Sequence, residues 1–302
     1  ARWSEQCGCT GMLVYSDNSI PDAWLIAQQI ISSTKTLAPM IAVQPVYMHP
    51  YAAAKMVASL AWLHRRRVLL NMVAGGFRND LEALNDTTAH DDRYSRLVEY
   101  TDVILALLRG AGPVSYAGKF YEIRNLRMTP AVSPDLVPEV FVSGSSDAGL
   151  AAAAALGATA VRYPKPSQEE AVLPTGDWGL RVGIIARRRA SEAWDVARER
   201  FPEDRRGQLT HELAMRVSDS QWHRDLSDRP AETPESPYWL VPFQHYKTMC
   251  PYLVGSIDDV ADEIARYIDL GFRKFILDIP PSLEDLVFTT AAFSRATEPV
   301  LR

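Results

Sequence analysis

Three segments of this chain repeat one pattern: a helical tail, a glycine, then a short β-rich run. Residues 3–15 read WSEQCGCTGMLVY, residues 151–163 read AAAAALGATAVRY, and residues 264–279 read IARYIDLGFRKFILDI. The glycines, Gly8, Gly157 and Gly271, stand where a helix is stopped by a left-handed residue that glycine adopts without strain. Helix, glycine and strand repeated along a chain mark α/β organisation around a parallel sheet.

Read for apolar runs and turn residues, the sequence predicts strands near residues 11–15, 37–43, 68–73, 140–142, 158–162, 180–186 and 274–278. Helices are expected near 22–32, 50–63, 94–109, 148–156, 191–200 and 257–270. The chain opens within a helix, so a strand is expected to precede it in the natural protein. With that first strand the rhythm is that of a TIM (β/α)8 barrel with insertions. No Gly/Ser-rich or Pro-rich linker divides the 302 residues, so 1–302 are expected to form a single domain. Residues 114–123 read as a hairpin turning at Ala117-Gly118. Residues 202–252 form a longer insertion, rich in proline and aromatics towards its end. Long loops of this kind are usually functional or disordered; 202–252 is expected to be a lid-like insertion, with 230–252 closing over a site at the strand ends, and a surface excursion is the alternative.

The turn after Val140-Phe141-Val142 carries chemistry. It reads Ser143-Gly144-Ser145-Ser146-Asp147 and opens an alanine-rich helix. Such a turn leaves backbone N–H groups at the positive end of the helix dipole, with two serine hydroxyls at hand, which suits a phosphate. A serine N-cap with no ligand is the alternative.

Composition excludes several classes. A net charge of −5 argues against a general nucleic-acid surface, despite Arg65-Arg66-Arg67 and Arg187-Arg188-Arg189. No apolar run approaches the ~20 residues of a membrane span. Three cysteines do not make a disulfide framework, and Cys7-Gly8-Cys9 lacks the further ligands of a zinc site, so no metal is expected. Reduced thiols suit a cytoplasmic protein.

Several segments, in order, resemble the bacterial luciferase-like superfamily of flavin-dependent monooxygenases, nearest its alkanesulfonate monooxygenase branch. They are Asn71-Met72-Val73-Ala74-Gly75-Gly76, His90-Asp91-Asp92-Arg93-Tyr94, Gly118-Lys119-Phe120-Tyr121, the turn from Ser143 to Gly149, Leu180-Arg181-Val182-Gly183, and Leu253-Val254-Gly255 through Phe275-Ile276-Leu277. The resemblance implies a barrel that takes reduced FMN from a separate NAD(P)H-dependent flavin reductase. There, dioxygen forms a flavin C4a-(hydro)peroxide that oxidises a small organic substrate. It also implies a homodimer or homotetramer. By the same resemblance Gly144, Ser145 and Ser146 grip the FMN phosphate, and the Tyr94 hydroxyl reaches it. Asn71 stands beside the flavin ring, and the strand tip Ala42-Val43-Gln44 lies where the ring rests, with relatives often carrying a cis peptide there.

The departures are as informative. Ile20 stands where the sulfonate enzymes have cysteine. Arg181 keeps the arginine of an Arg-x-His pair, but Gly183 replaces the histidine, and Pro280 replaces a tyrosine. Catalytic candidates are therefore sought at strand ends: Asp17 and Asn18, Gln44, His49, Arg181 and Asp278. His49 can move a proton near neutral pH. Arg181 can clamp an anion or pair with Asp278 inside the barrel. Tyr246, with His245 and Lys247, lies on the expected lid. A deazaflavin-dependent oxidoreductase on the same barrel and a non-catalytic flavin-binding protein are the other readings.

Overall fold

The short apolar runs form parallel strands, and the glycine-ended segments form the helices between them. The computed structural model describes residues 1–17, 20–75, 78–110, 112–217, 225–232 and 236–298. Asn18 and Gly76 lie outside these. The chain divides into two compact units, Ala1–Ala160 and Val161–Arg302.

In chain order the first unit holds α1 (Arg2–Gln6), β1 (Gly11–Val14), α2 (Ala23–Ser33), β2 (Ala38–Val43), α3 (Pro50–His64), β3 (Leu69–Met72) and α4 (Arg78–Ala83). It continues with α5 (His90–Arg109), β4 (Val114–Ala117), β5 (Glu122–Leu126), β6 (Glu139–Ser143) and α6 (Asp147–Leu156). β1, β2, β3 and β6 pair side by side, all parallel. Every residue of β2 and β3 is buried, as expected of strands covered on both faces. The register sets Asn71 between Ala42 on β2 and Phe141 on β6. α5 buries Leu97, Tyr100, Ile104 and Leu107 and packs between α3 and α6. The expected hairpin is β4 with β5, antiparallel. Its turn is held by the Glu99 carboxylate, which accepts the backbone N–H groups of Lys119, Phe120 and Tyr121 at 2.8, 2.8 and 3.2 Å.

β7 (Thr159–Arg162) carries the chain into the second unit. There follow β8 (Trp178–Arg187), α7 (Ala190–Arg200), α8 (Arg205–Val217), β9 (Tyr238–Trp239), α9 (Val241–Gln244), β10 (Tyr252–Ser256), α10 (Ile257–Leu270), β11 (Lys274–Leu277) and α11 (Leu283–Thr297). β8 is long enough to serve two parallel partners. Gly179 to Val182 pair with β11, and Gly183 to Arg187 pair with β10. Leu180, Val182, Leu253, Ile264, Tyr267 and Phe272 centre the core of this unit.

Two results differ from the sequence reading. β10 and α11 are elements that it did not predict. The expected lid, 230–252, is also largely part of the core. β9 pairs antiparallel with β10, and Tyr238, Trp239, Leu240 and Phe243 are each at most 2% exposed. The Tyr238 hydroxyl donates to the Pro164 carbonyl at 2.8 Å. Swinging residues 238–252 outward would expose these aromatic groups to water, at a cost of several kcal/mol on the order of 2–3 per large side chain. The proline-aromatic composition that suggested a mobile loop instead supplies core.

Candidate functional site

The first unit assembles the residues expected to hold the cofactor. β6 ends at Ser143, and Ser146 caps α6, its Oγ accepting the Gly149 N–H at 3.2 Å. By helix geometry the first-turn amides at Asp147 and Ala148 have no partner within the helix. Asp147 is exposed, so its charge faces solvent. Gly144 sits under the Tyr94 hydroxyl: a Cβ built there would overlap the Tyr94 oxygen. Tyr94, on the second turn of α5, hydrogen-bonds the Ser146 side chain, and burial pushes its phenol above the usual value. The turn therefore offers neutral donors only: two serine hydroxyls, a tyrosine hydroxyl that stays protonated, and helix-end amides. A phosphate is met by this donor set, and the glycine lets the Tyr94 hydroxyl come close to the turn. On this observation the residues present fit a flavin phosphate.

Asn71 continues the arrangement. It is 5% exposed, and its Oδ1 accepts the Ser143 hydroxyl at 2.8 Å, so its NH2 group is turned away from the serine. At the tip of β2, Ala42 and Val43 are buried and Gln44 is half-buried. The Val43 carbonyl accepts the Val73 N–H at 3.0 Å, and the Ala42 carbonyl accepts the Ser16 hydroxyl at 2.5 Å. Among the described residues the cis peptide bond is Thr129–Pro130, so the tip is trans. A cleft of about 470 Å³ opens at the carboxyl ends of β1 and β2, lined by Trp24, Val43, Gln44, Tyr47, Met48 and Leu84 among others. His49 follows the tip and caps α3: its Nδ1 accepts the Tyr51 N–H at 3.2 Å. Ile20 is exposed beside the same cleft.

The second unit carries Arg181 in an array of its own. Arg181 Nη1 donates to the Tyr163 hydroxyl at 3.2 Å, and its guanidinium stands over the Tyr163 ring at 5.8 Å. Asp278, at the end of β11, lies 3.8 Å from Arg181 Nη2 and takes a shorter hydrogen bond, 2.7 Å, from the Tyr252 hydroxyl. Tyr252 was missed by the sequence reading. It is the register partner of Gly183, and a Cβ on Gly183 would overlap its ring. Tyr246 has a left-handed backbone, φ 55°, closing the turn after α9. Its neighbours lie on α8 and just before it: the His211 ring centroid is 6.3 Å away edge-on, Gln208 hydrogen-bonds His245, and Asp204, preceding α8, pairs with Lys247 at 2.5 Å.

Among the described residues no group of three or more His, Cys, Asp or Glu is placed to hold a metal ion, and no helix is long and apolar enough to cross a membrane. Cys7, Cys9 and Cys250 form no disulfide.

Comparison with known proteins gives a consistent picture. A family model described as luciferase-like monooxygenase matches residues 1–274. The chain is 33% identical, over 310 aligned residues, to the 4-(γ-L-glutamylamino)butanoyl-[BtrI acyl-carrier protein] monooxygenase BtrO of Niallia circulans, covering 99% of this chain and 89% of the relative. It resembles the crystal structure of long-chain alkane monooxygenase LadA with a TM-score of 0.75 at 15% identity, over 97% of this chain and 81% of LadA. It also resembles an F420-dependent secondary alcohol dehydrogenase, TM-score 0.67 at 14% identity, over 97% and 92%. These structural likenesses show the fold, the TIM-barrel type that the sequence predicts.

Proposed function

The chain belongs to the luciferase-like monooxygenase family of flavin-dependent enzymes, and from that premise we propose that it works with reduced FMN delivered by a separate NAD(P)H-dependent flavin reductase. The observation that carries this reading is the Gly144 turn at the start of α6, where the missing side chain lets the Tyr94 hydroxyl close onto the backbone beside Ser146. Ser145, Ser146, the Tyr94 hydroxyl and the α6 amides hold the phosphate. The fixed Asn71 amide, with Val43 and Gln44, meets the flavin ring. When bound, reduced FMN supplies the electrons with which dioxygen is activated; the protein supplies position and dryness. The buried β2 and β3 strands exclude water from beneath the site. One family model runs across both compact units, which supports a single functional domain.

The substrate reading is a small organic molecule; Arg181, which pairs with Asp278 at 3.8 Å, is the candidate contact for an anionic group on it. His49 and Tyr246 remain candidates for proton handling. In its capping role the His49 ring accepts the Tyr51 N–H at Nδ1. BtrO acts on an acyl group bound to a carrier protein, so carrier-bound and free acyl substrates both belong in the test.

The F420-dependent relative supports a second reading, in which a deazaflavin phosphate uses the same turn without oxygen chemistry. NADH consumption with added flavin reductase, with and without oxygen, separates the two. Oxygen-dependent substrate oxidation with FMN supports the first reading. Oxygen-independent turnover with F420, and none with FMN, supports the second.

A further inference from the structure

The cleft at the carboxyl ends of β1 and β2 is built for a neutral chain rather than for an acid. Trp24, Val43, Met48 and Leu84 give it apolar walls, and its volume of about 470 Å³ suits a short acyl chain. Its charged lining is Asp17, Asp22 and Asp80. Among the described residues no lysine, arginine or histidine lines it, so the lining itself supplies no opposite charge. Asp22 Oδ1 accepts the Trp24 and Leu25 N–H groups at 2.9 and 3.3 Å, which fixes this carboxylate as the cap of α2 without neutralising it. Two hydroxyls line the same space. That of Ser16 is already donated to the Ala42 carbonyl. That of Tyr47 accepts Gln44 Nε2 at 3.4 Å, which leaves its own proton for another partner. The Tyr47 N–H donates to the Gln44 carbonyl at 3.2 Å, so a tight turn fixes this residue just beyond the tip of β2.

We infer that this cleft takes an uncharged acyl group, a thioester or an amide, and turns away the free acid: Tyr47 donates to the acyl carbonyl, and the lining carboxylates repel a carboxylate. A thioester and its free acid share the same chain and differ in charge at one end. Like charges a few ångströms apart in a half-buried cleft cost the acid affinity and cost the neutral carbonyl nothing. Burial, then Asp80 and Asp17, raise the Tyr47 phenol above its ordinary value, so it stays a protonated donor at neutral pH. Because the phenol feels both of these lining carboxylates, its hydroxyl end lies on the cleft side. Arg181, the candidate contact for an anionic group, is no part of this lining.

This inference rests on the reading of Val43 and Gln44 as flavin contacts, and the experiment separates the two. Hexanamide and S-hexanoyl-N-acetylcysteamine are the neutral acyl probes, hexanoate is the acid, and hexylammonium is a probe with no carbonyl. Dissociation constants are measured anaerobically by calorimetry on the full chain, with and without reduced FMN. The proteins are wild type, Tyr47→Phe and the double variant Asp22→Asn with Asp80→Asn, in which asparagine keeps the α2 cap. Thermal unfolding checks that each is folded. Wild type is expected to bind both neutral acyl probes at least roughly tenfold more tightly than hexanoate. The double variant should close that gap by strengthening hexanoate while leaving hexanamide unchanged. Tyr47→Phe should weaken both neutral acyl probes about fivefold, the scale of one hydrogen bond, and leave hexylammonium unchanged. Hexanoate binding as tightly as hexanamide, or staying as weak in the double variant as in wild type, would overturn the inference. So would unchanged hexanamide binding in Tyr47→Phe, an equal loss of hexylammonium there, or no binding of any probe with reduced FMN in place. If reduced FMN does not bind while the probes keep the expected order, the flavin reading falls and the acyl assignment stands.

Discussion

At Gly144 the absence of a side chain lets the Tyr94 hydroxyl sit against the turn that opens α6. Gly144→Ala is expected to push Tyr94 aside and weaken reduced-FMN binding by roughly tenfold, the loss of one good hydrogen bond. Tyr94→Phe in that background should cause little further loss, because the hydroxyl is already displaced; equilibrium titration of the three variants checks this. The placement of Tyr94 depends in turn on Asp86. Its carboxylate takes Arg96 Nη2 at 2.6 Å and Nη1 at 3.2 Å, tying the turn after α4 to α5. Burial pushes the Asp86 carboxyl up, but hydrogen bonds from Arg96 and Thr88 outweigh it and hold the group down at about 2. A depressed acid contributes stability above its unfolded value of 3.8 and loses it as pH falls towards 2. Asp86→Asn should therefore cost roughly 2 kcal/mol at neutral pH, and the gap to wild type should close as the protein is acidified below pH 4. A gap independent of pH in chemical denaturation would refute the charge argument. What was legible at this scale is local. The Gly/Ser turn announces itself because strand, turn and helix are contiguous. Tyr252 over Gly183 joins residues far apart in sequence, and nothing near either one signals the pairing.

Among the elements, the strands that a continuous apolar run marks form where the sequence places them, β2 and β3 most clearly. β10 escaped because its run Tyr252-Leu253-Val254 closes the proline- and aromatic-rich segment that reads as part of the insertion. It forms because β8 extends far enough to pair with it. α11 escaped because Val287-Phe288-Thr289-Thr290 reads as strand, whereas in the fold it buries Leu286, Thr289 and Ala292 against its neighbours. The insertion shows the same limit from the other side. Proline-rich aromatic sequence reads as loop, but Tyr238 and Trp239 find a strand partner in β10, and Leu240 and Phe243 follow them inward. Deleting residues 232–248 should accordingly destroy the cooperative unfolding transition of the second unit, not merely uncouple turnover. A deletion variant that melts like wild type would return the segment to the surface.

At the scale of the whole molecule the helices leave apolar surface in one place and not in another. The sequences of α3 and α5 both carry more apolar residues than one stripe requires. α5 spends its own against α3 and α6. α3 leaves Met56, Trp62 and Leu63 outside at 42%, 63% and 60% exposure, Met56 and Leu63 on one stripe with Trp62 beside Leu63 at the helix end. We propose that this stripe joins two copies of the chain. Light scattering should then find twice the 33.7 kDa chain mass, and Trp62→Glu should return the chain mass itself. A wild-type monomer at micromolar concentration would dismiss the proposal. The account as a whole depends on the α6 turn as the phosphate site. Ser146→Asp tests it most directly, because aspartate is as good an N-cap as serine and should preserve the helix while setting a negative charge against the phosphate. In an anaerobic titration, wild type should bind reduced FMN more tightly than oxidised FMN, and Ser146→Asp should lose well over tenfold in affinity with its melting temperature unchanged. Equal reduced-FMN affinity in the two proteins would contradict the account.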